Sequence, residues 1–333
     1  MIVRRLLAVI SLAISGFLIL LLLLRFVPAE LPSLLILGLS LTLLFFSALP
    51  VALILAFLAR SRVALAVSGA LCIGVLVWLG MVLLPKATSP FEGFTVITFN
   101  MGAKHEIMWD VESWLNTAPS DVVLAQETFN YQLRPGIESL RAVYPYQAIQ
   151  RTEIGYRGNT TLSAYAILAE GREGFEPDST FTRVVINYKG TLIAVYNVSL
   201  LAPFGLGSIA QPLSLITSFD VTVRNAQLMA LLERIEDETL PMIVGGEFNV
   251  TEFDPAYDRL RAHLRDGFRE AGSGLGFTFP FGGAYSFNGL IAPLLRMDYL
   301  WVGAGLQVAE ARVLATIGSD RLPIIARIHL PAS

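Results

Sequence analysis

Among its 333 residues the chain has one cysteine (Cys72), three lysines (Lys86, Lys104, Lys189) and three histidines. A lone cysteine excludes an intramolecular disulfide, so cysteine usage says nothing about compartment. Charge is scarce too. Only 15% of residues are charged against 54% hydrophobic, too apolar a balance for an ordinary soluble enzyme. From Phe94 onward 18 Lys and Arg face 25 Asp and Glu. This part lacks the basic excess with which proteins hold nucleic-acid phosphates, so nucleic acid is not expected as the main partner. Internal repeats and low-complexity tracts are absent outside the apolar runs.

The missing charge is concentrated at one end. Residues 6–24, 33–59 and 63–84 are apolar runs, the first closed by Arg25 and the last two separated by Arg60-Ser61-Arg62. Each is long enough for the roughly 20 helical residues that cross a bilayer core. None offers a polar face to water, which argues against buried soluble helices. The first run is longer than a signal-peptide core, lacks a small-residue cleavage site and is followed by two more. Three transmembrane helices are therefore expected within residues 1–85, the second kinked or shortened by Pro50, with the lipid bilayer as a partner. Arg4, Arg5, Arg60 and Arg62 flank the spans on one side, and Arg25 and Lys86 on the other. That balance puts the N-terminus in the cytoplasm and everything after residue 85 outside it, as a multi-pass protein of the cell membrane.

Residues 86–93 read as a short polar linker, leaving 94–333 as one domain of a size a single core can serve. Strands are expected at 94–99, 121–125, 162–168, 181–188, 191–200, 241–245, 296–302, 306–314 and 322–330, with helices at 105–118, 223–238 and 255–264. Strands and helices interleave, with hairpins among them. The expectation is a mixed α/β fold with packed sheets.

Polar residues that end buried strands are where such folds place chemistry. Asn100 closes Thr98-Phe99-Asn100, Glu127 closes Leu124-Ala125-Gln126-Glu127, and Ser199 lies near the end of 191–200. Glu247 and Asn249 follow a strand in Gly245-Gly246-Glu247-Phe248-Asn249; Asp298 stands in Arg296-Met297-Asp298-Tyr299, and Asp320-Arg321 in Ser319-Asp320-Arg321-Leu322. Singly, each is as readily a turn or a helix cap.

In order, these segments, with Arg224 and Gln227 on the helix before the Glu247 turn, resemble the endonuclease/exonuclease/phosphatase superfamily, which includes deoxyribonuclease-like nucleases, sphingomyelinases and inositol-phosphate phosphatases. The resemblance runs from Phe94 to Leu330. It implies a two-sheet β-sandwich flanked by helices in four layers, with the site at one end, and hydrolysis of a phosphoester. By the same resemblance Glu127 would bind a divalent metal with Asn100 beside it, Mg²⁺ or Mn²⁺ by its oxygen ligands. Asn249 would orient the phosphate or water. Asp298 would stand where the family pairs an aspartate with histidine, and Asp320 precedes that histidine in the family's S-D-H signature.

The departures fall on the reactive groups. The S-D-H histidine is Arg321, the G-D-F-N aspartate is Glu247, and Ser199 stands where the strand motif often has histidine. His105, His263 and His329 occupy no matching position. Arginine stays protonated throughout the physiological pH range and cannot do the proton transfer that typically contributes ~10²–10⁴-fold. It can pair with Asp298 or hold charge on a phosphate. Two functions stay open. One is hydrolysis with Glu247 as base and Arg321 as electrophilic support. The other is a pseudoenzyme that binds a phosphate ligand or a partner at the outer membrane face. Residues 202–219 form a long uncharged loop, a packed cover or a contact with the bilayer that would suit a lipid-linked phosphoester.

Overall fold

A computed structural model of the chain describes residues 1–27, 30–86, 93–102, 114–115, 120–128, 140–150, 158–173, 180–205, 212–279, 293–315 and 319–330. The chain divides into two compact units, Met1–Leu84 with Thr251–Asp258, and Pro85–Val250 with Arg259–Ser333.

In the first unit α1 (Ile2–Leu24), α4 (Leu49–Ala59) and α5 (Arg62–Leu83) carry almost no polar side chain. The serine hydroxyls in the interiors of α1 and α5 bond to one another and to backbone, as apolar surroundings favour. The hydroxyl of Ser11 donates to the carbonyl of Ala52 at 2.8 Å, and the hydroxyls of Ser11 and Ser15 each lie 3.1 Å from that of Ser68. Three helices are long and apolar enough to cross a membrane: Ile2–Leu24, Thr42–Ala59 and Arg62–Leu83. The expected single run over 33–59 is interrupted. It forms α2 (Ser33–Ser40), α3 (Thr42–Phe45), a 3₁₀ turn at Phe46–Ala48, and then α4. Of the two effects expected of Pro50, the shortening is the one seen, with no kink in a helix interior. The proline lies in the first turn of α4, where its missing N–H had no intrahelical partner to lose. Hydropathy alone cannot see that restart. In the same unit the Phe253 ring lies 5.8 Å from Phe46 and 5.9 Å from Trp78, and Arg25 donates from Nε and Nη2 to the two carboxylate oxygens of Asp258.

The second unit is built on two six-stranded mixed sheets. The first contains β1 (Phe94–Asn100), β2 (Val122–Thr128), β3 (Tyr146–Ile149), β4 (Gly158–Ser163), β11 (Gln307–Val313) and β12 (Ile324–His329), in the order β11-β12-β1-β2-β4-β3. The second contains β5 (Ile167–Glu173), β6 (Phe181–Tyr188), β7 (Thr191–Ser199), β8 (Met242–Glu247), β9 (Arg265–Asp266) and β10 (Asp298–Val302), in the order β5-β6-β7-β8-β10-β9. Helices α6 (Pro212–Ser218), α7 (Thr222–Glu236) and α9 (Gly267–Ala271) accompany them, while α8 (Pro255–His263) is divided between the two units at Asp258. This is the two-sheet, helix-flanked architecture that the sequence resemblance implies.

The strand expected at 162–168 is two strands in different sheets. β4 ends at Ser163, whose hydroxyl donates to the carbonyl of Tyr165 and accepts its N–H, and β5 begins at Ile167. Apolar content is continuous across this crossover, so periodicity hides it. β3, β9, α6 and α9 lie outside the expected elements. The helix expected at 105–118 lies, except for Trp114 and Leu115, outside the described residues.

Val96, Val122 and Leu124 of one sheet and Val184, Val195, Ile243 and Leu300 of the other form the dry core between the layers. At one end that core turns polar. Gln126 donates to the Asn197 side chain at 2.7 Å, and Asn197 donates to the carbonyls of Ala125 and Thr160 at 3.1 Å, tying the sheets together across the gap. β1 and β2 run parallel, as do β7 and β8, and β10 returns antiparallel with Asp298 opposite Glu247. The C-terminal ends of β1, β2 and β8 and the start of β10 thus converge on one edge of the sandwich.

Candidate active site

Each of the four strand ends delivers one carboxylate or amide. Asn100 closes β1 and is buried; its amide Nδ2 donates to Glu247 Oε2 at 2.5 Å, while its Oδ1 accepts the Gly102 N–H at 2.7 Å. Glu247 closes β8, only 2% exposed. Its positioning depends on Gly246, at φ +148°. A Cβ there would stand 1.9 Å from the Val198 carbonyl oxygen, so β7 and β8 approach closely only with glycine. Glu127 and Asn249 are non-glycine residues with positive φ, +55° and +52°. Glu127 lies in β2 at the irregularity between Ala125 and Thr128 and Asn249 just past the end of β8, and backbone strain of this kind clusters at functional sites. Asn249 is pinned: its Nδ2 donates to the Leu200 carbonyl at 2.8 Å, and its own carbonyl accepts from Nη1 of the buried Arg224 at 2.8 Å.

Arg321 occupies the centre. It is 6% exposed, and its guanidinium is ion-paired with Glu247, 3.5 Å from Asp298 Oδ2 through Nη1, and 3.4 Å from Asn249 Oδ1 through Nη2. Its backbone is set by Ser319, whose hydroxyl accepts the Arg321 N–H at 3.1 Å and donates to the Asn100 carbonyl at 2.8 Å. The flat cation lies over the ring of Phe279, 4.1 Å from its centre, an arrangement worth about 2 kcal/mol when desolvated. Asp298 also accepts the Thr278 hydroxyl at 2.5 Å. Its Oδ1 is buried without a hydrogen-bond partner among the described residues.

Electrostatics follow from burial. Desolvation pushes Glu247 up from the usual 4.5 to about 8, with Arg321 opposing and the charges of Glu127, Asp298 and Asp320 reinforcing. Burial raises Asp298 as well, against the pull of Arg321 and Thr278. For Arg321 burial acts downward, but Glu247 and Asp298 outweigh it and hold the cation charged. Four carboxylates thus act on a single guanidinium.

That imbalance bears on a metal. Among the described residues no three His, Cys, Asp or Glu side chains form a ligand cage. The donors present are oxygens, in excess negative charge, with one buried carboxylate oxygen unsatisfied. They fit a hard divalent cation, which keeps most of its water and takes one or two carboxylates, rather than zinc. Glu127, with Asn100 beside it, would hold that ion.

Of the residues singled out in the sequence, Asn100, Glu247, Asn249, Asp298 and Arg321 are brought together, and the charges of Glu127 and Asp320 act on them. Ser199 lies opposite Glu247 in the β7–β8 register. His263 lies near Glu236, 3.6 Å away, and His329 pairs with Gln307 at the edge of the first sheet, both apart from the cluster. His105 lies outside the described residues. Sequence reasoning missed Thr278 and Phe279, which come from an irregular segment joined to Leu295 by an isolated bridge. No periodicity marks such a segment. The Thr-Phe pair preceding an Arg-x-Asp-Tyr strand would have been the available signal.

A buried charge cluster at one end of a two-sheet sandwich is the layout of a phosphoester-hydrolase type of fold. The Endonuclease/Exonuclease/phosphatase family model matches residues 97–321. The chain belongs to that family, whose members generally use divalent metals. Among solved structures, an endonuclease/exonuclease/phosphatase family protein from Leptotrichia buccalis superposes with a TM-score of 0.55 at 18% identity, covering 71% of this chain and 100% of that one. Truncated Caenorhabditis elegans TDP2 gives 0.54 at 17%, covering 72% and 99%. The Bacteroides thetaiotaomicron mannosyl-6-phosphatase Bt3783 gives 0.52 at 17%, covering 71% and 100%. At these identities the likeness is one of fold. A comparison with curated proteins finds no match.

Proposed function

We propose that the protein is a membrane-anchored, divalent-cation-dependent phosphoester hydrolase in which Glu247 takes the proton that the family's histidine would handle and Arg321 serves as a fixed cation for the phosphoryl group. The three apolar helices support the anchor. The basic flanks Arg4, Arg5, Arg60 and Arg62 favour a cytoplasmic N-terminus and an extracytoplasmic domain.

One observation carries the chemical reading. Glu247 is a buried carboxyl raised to about 8, in contact with both Asn100 and Arg321. A base poised near the working pH is what proton abstraction from water needs. Arg321 cannot exchange a proton, but a buried guanidinium can neutralise charge that grows on a phosphoryl oxygen. Asn249, held from both sides by Leu200 and Arg224, supplies a rigid amide for orientation. A bound divalent cation would add Lewis-acid polarisation of the phosphoryl group.

The test uses the full chain in detergent with Mn²⁺ or Mg²⁺, against bis-p-nitrophenyl phosphate and p-nitrophenyl phosphate. Metal-dependent nitrophenolate release, lost in Glu247→Gln, is expected. A second reading rests on the closure of Arg321 onto Glu247 and Asp298, which consumes the charges a substrate would meet. On that reading the domain is a pseudoenzyme that binds a phosphate ligand or a partner without turning it over. Wild-type protein that turns over neither ester would favour it.

A further inference from the structure

The longest uncharged stretch of the globular part lies beside this cluster. From Gly190 to Phe219 there is no Asp, Glu, Lys, Arg or His. Its far end forms α6, and there the apolar residues point outward. Leu213 is 80% exposed and Ile216 48%, with Leu201 at 54% just after β7. Helices on a water-facing surface ordinarily turn such residues inward.

The same stretch is joined to the site by stacked rings. Phe219, at the end of α6, is buried and stacks on Phe204 at 6.4 Å. Phe204 stacks on Phe279 at 6.4 Å, and Phe279 carries the Arg321 guanidinium 4.1 Å above its ring. An apolar column therefore runs from the outward face of α6 to the cation of the cluster. The rings along it offer neither a charge nor a hydrogen bond to a polar leaving group.

Building on the hydrolase reading above, we infer that Leu201, Leu213 and Ile216 form a surface that rests in the lipid interface, and that the substrate is a phosphoester carried by a lipid. The argument for bilayer over protein is threefold. The chain brings its own membrane helices. The stretch that carries it, from Gly190 to Phe219, has no charge with which to select a protein partner. And the column it leads to ends on a phosphate-binding cation, so an acyl chain and a headgroup phosphate are matched at its two ends. An apolar, uncharged helix face beside a phosphate site is how interfacial segments bury side chains at the headgroup boundary.

The experiment uses the full chain in proteoliposomes, in a Cys72→Ser background. Leu213→Cys and, as control, Lys189→Cys in the turn at the other end of β7 are labelled with an environment-sensitive fluorophore. Lipids carrying a nitroxide on the acyl chain should quench the label at 213 about twofold more than that at 189. Equal quenching overturns the lipid surface, whatever the enzyme does. In the same vesicles, Leu213→Asp combined with Ile216→Asp should lower turnover of phosphatidic acid or phosphatidylglycerol, relative to bis-p-nitrophenyl phosphate, by about tenfold. An unchanged ratio overturns the proposal, as does turnover of the soluble ester with none of either lipid. Quenching at 213 with no turnover of any ester supports the surface and fails the hydrolase reading alone.

Discussion

Arg321 and Asp298 stand 3.5 Å apart, guanidinium to carboxylate, in a pocket where both are almost wholly buried. The pair keeps the geometry of an acid holding a basic ring while removing the ring's ability to release a proton. It also makes the site part of the structural frame, since the cation is shared with Glu247.

Removing that cation should therefore cost stability as well as function. Arg321→Leu leaves two buried carboxylates facing each other with nothing between them. Breaking a buried pair from one side typically costs about 3–5 kcal/mol. A fall in the melting temperature of the full chain in detergent, largest above about pH 8 where both carboxyls are ionised and smaller in acid, is expected. A neutral effect at every pH would mean that the guanidinium is not paired as described.

Glu247 gives a pH dependence of definite sign. Its folded pKa is raised from 4.5 to about 8, so the folded state binds the proton more tightly than the unfolded chain does. Stability from this group is greatest below about 4.5, declines as pH rises toward about 8, and is flat beyond. Hydrolysis, if Glu247 is the base, runs the opposite way and should climb through the same window. Melting curves and rates between these limits check both, and Glu247→Gln should flatten both. A wild-type slope that survives the substitution would assign the titration to another group.

Much of this is legible in the chain and some is not. The strand ends can be read because each is a polar residue closing a short apolar run, as at Phe99-Asn100 or Gly246-Glu247, the mark of a strand buried on both faces. Arg321 is legible as a substitution, and its pairing with Asp298 is expected from the place it takes, but its ion pair with Glu247 is not. Only the antiparallel register of β10 on β8 puts Asp298 opposite Glu247. The break of the second span at Leu41 and the division of 162–168 between two sheets stay hidden because both occur inside continuously apolar sequence. Thr278 and Phe279 escape because they act from an irregular segment, where local pattern carries no information on what lies across the fold.

A cation bound at Glu127 should be detectable without any turnover. Mn²⁺ titrated into the full chain and followed by electron paramagnetic resonance should show one bound ion, lost or weakened at least about tenfold in Glu127→Gln. Asp320, whose charge acts on the same cluster, should contribute less. No bound Mn²⁺ in the wild-type chain would remove the metal from the account and leave the cationic role to Arg321.

Gly246 is a backbone test of the site. At φ +148°, with a Cβ falling on the Val198 carbonyl, alanine cannot be accommodated unless β8 moves away from β7. Gly246→Ala should destabilise the domain by more than about 2 kcal/mol and displace Glu247 and Asn249 together. Gly274 offers a control: its φ of +93° is also positive, but a Cβ there meets open space, so Gly274→Ala carries the backbone cost alone. Melting temperatures of the two variants should separate clearly. Equal losses would show that the close approach of β7 and β8 is not what fixes Glu247.

The strongest discrimination comes from restoring the groups that the family normally uses. Arg321→His with Glu247→Asp returns an imidazole next to Asp298 and draws the carboxylate back by one methylene. If the scaffold around them is intact, with Asn100, Glu127, Asn249 and Asp298 in place, the double variant should gain about ten- to a hundredfold in ester turnover, part of the ~10²–10⁴ that a positioned acid or base supplies. Its rate should also acquire an inflection near about pH 6.5, the ordinary range of histidine, that the wild-type chain lacks. Each single change should do less, because the imidazole needs the room that the shorter carboxylate leaves. A loss of activity in the double variant, with folding preserved, would show that the wild-type site works through Arg321 and Glu247 as they stand. No activity in either form would show that the remodelling extends beyond these two positions.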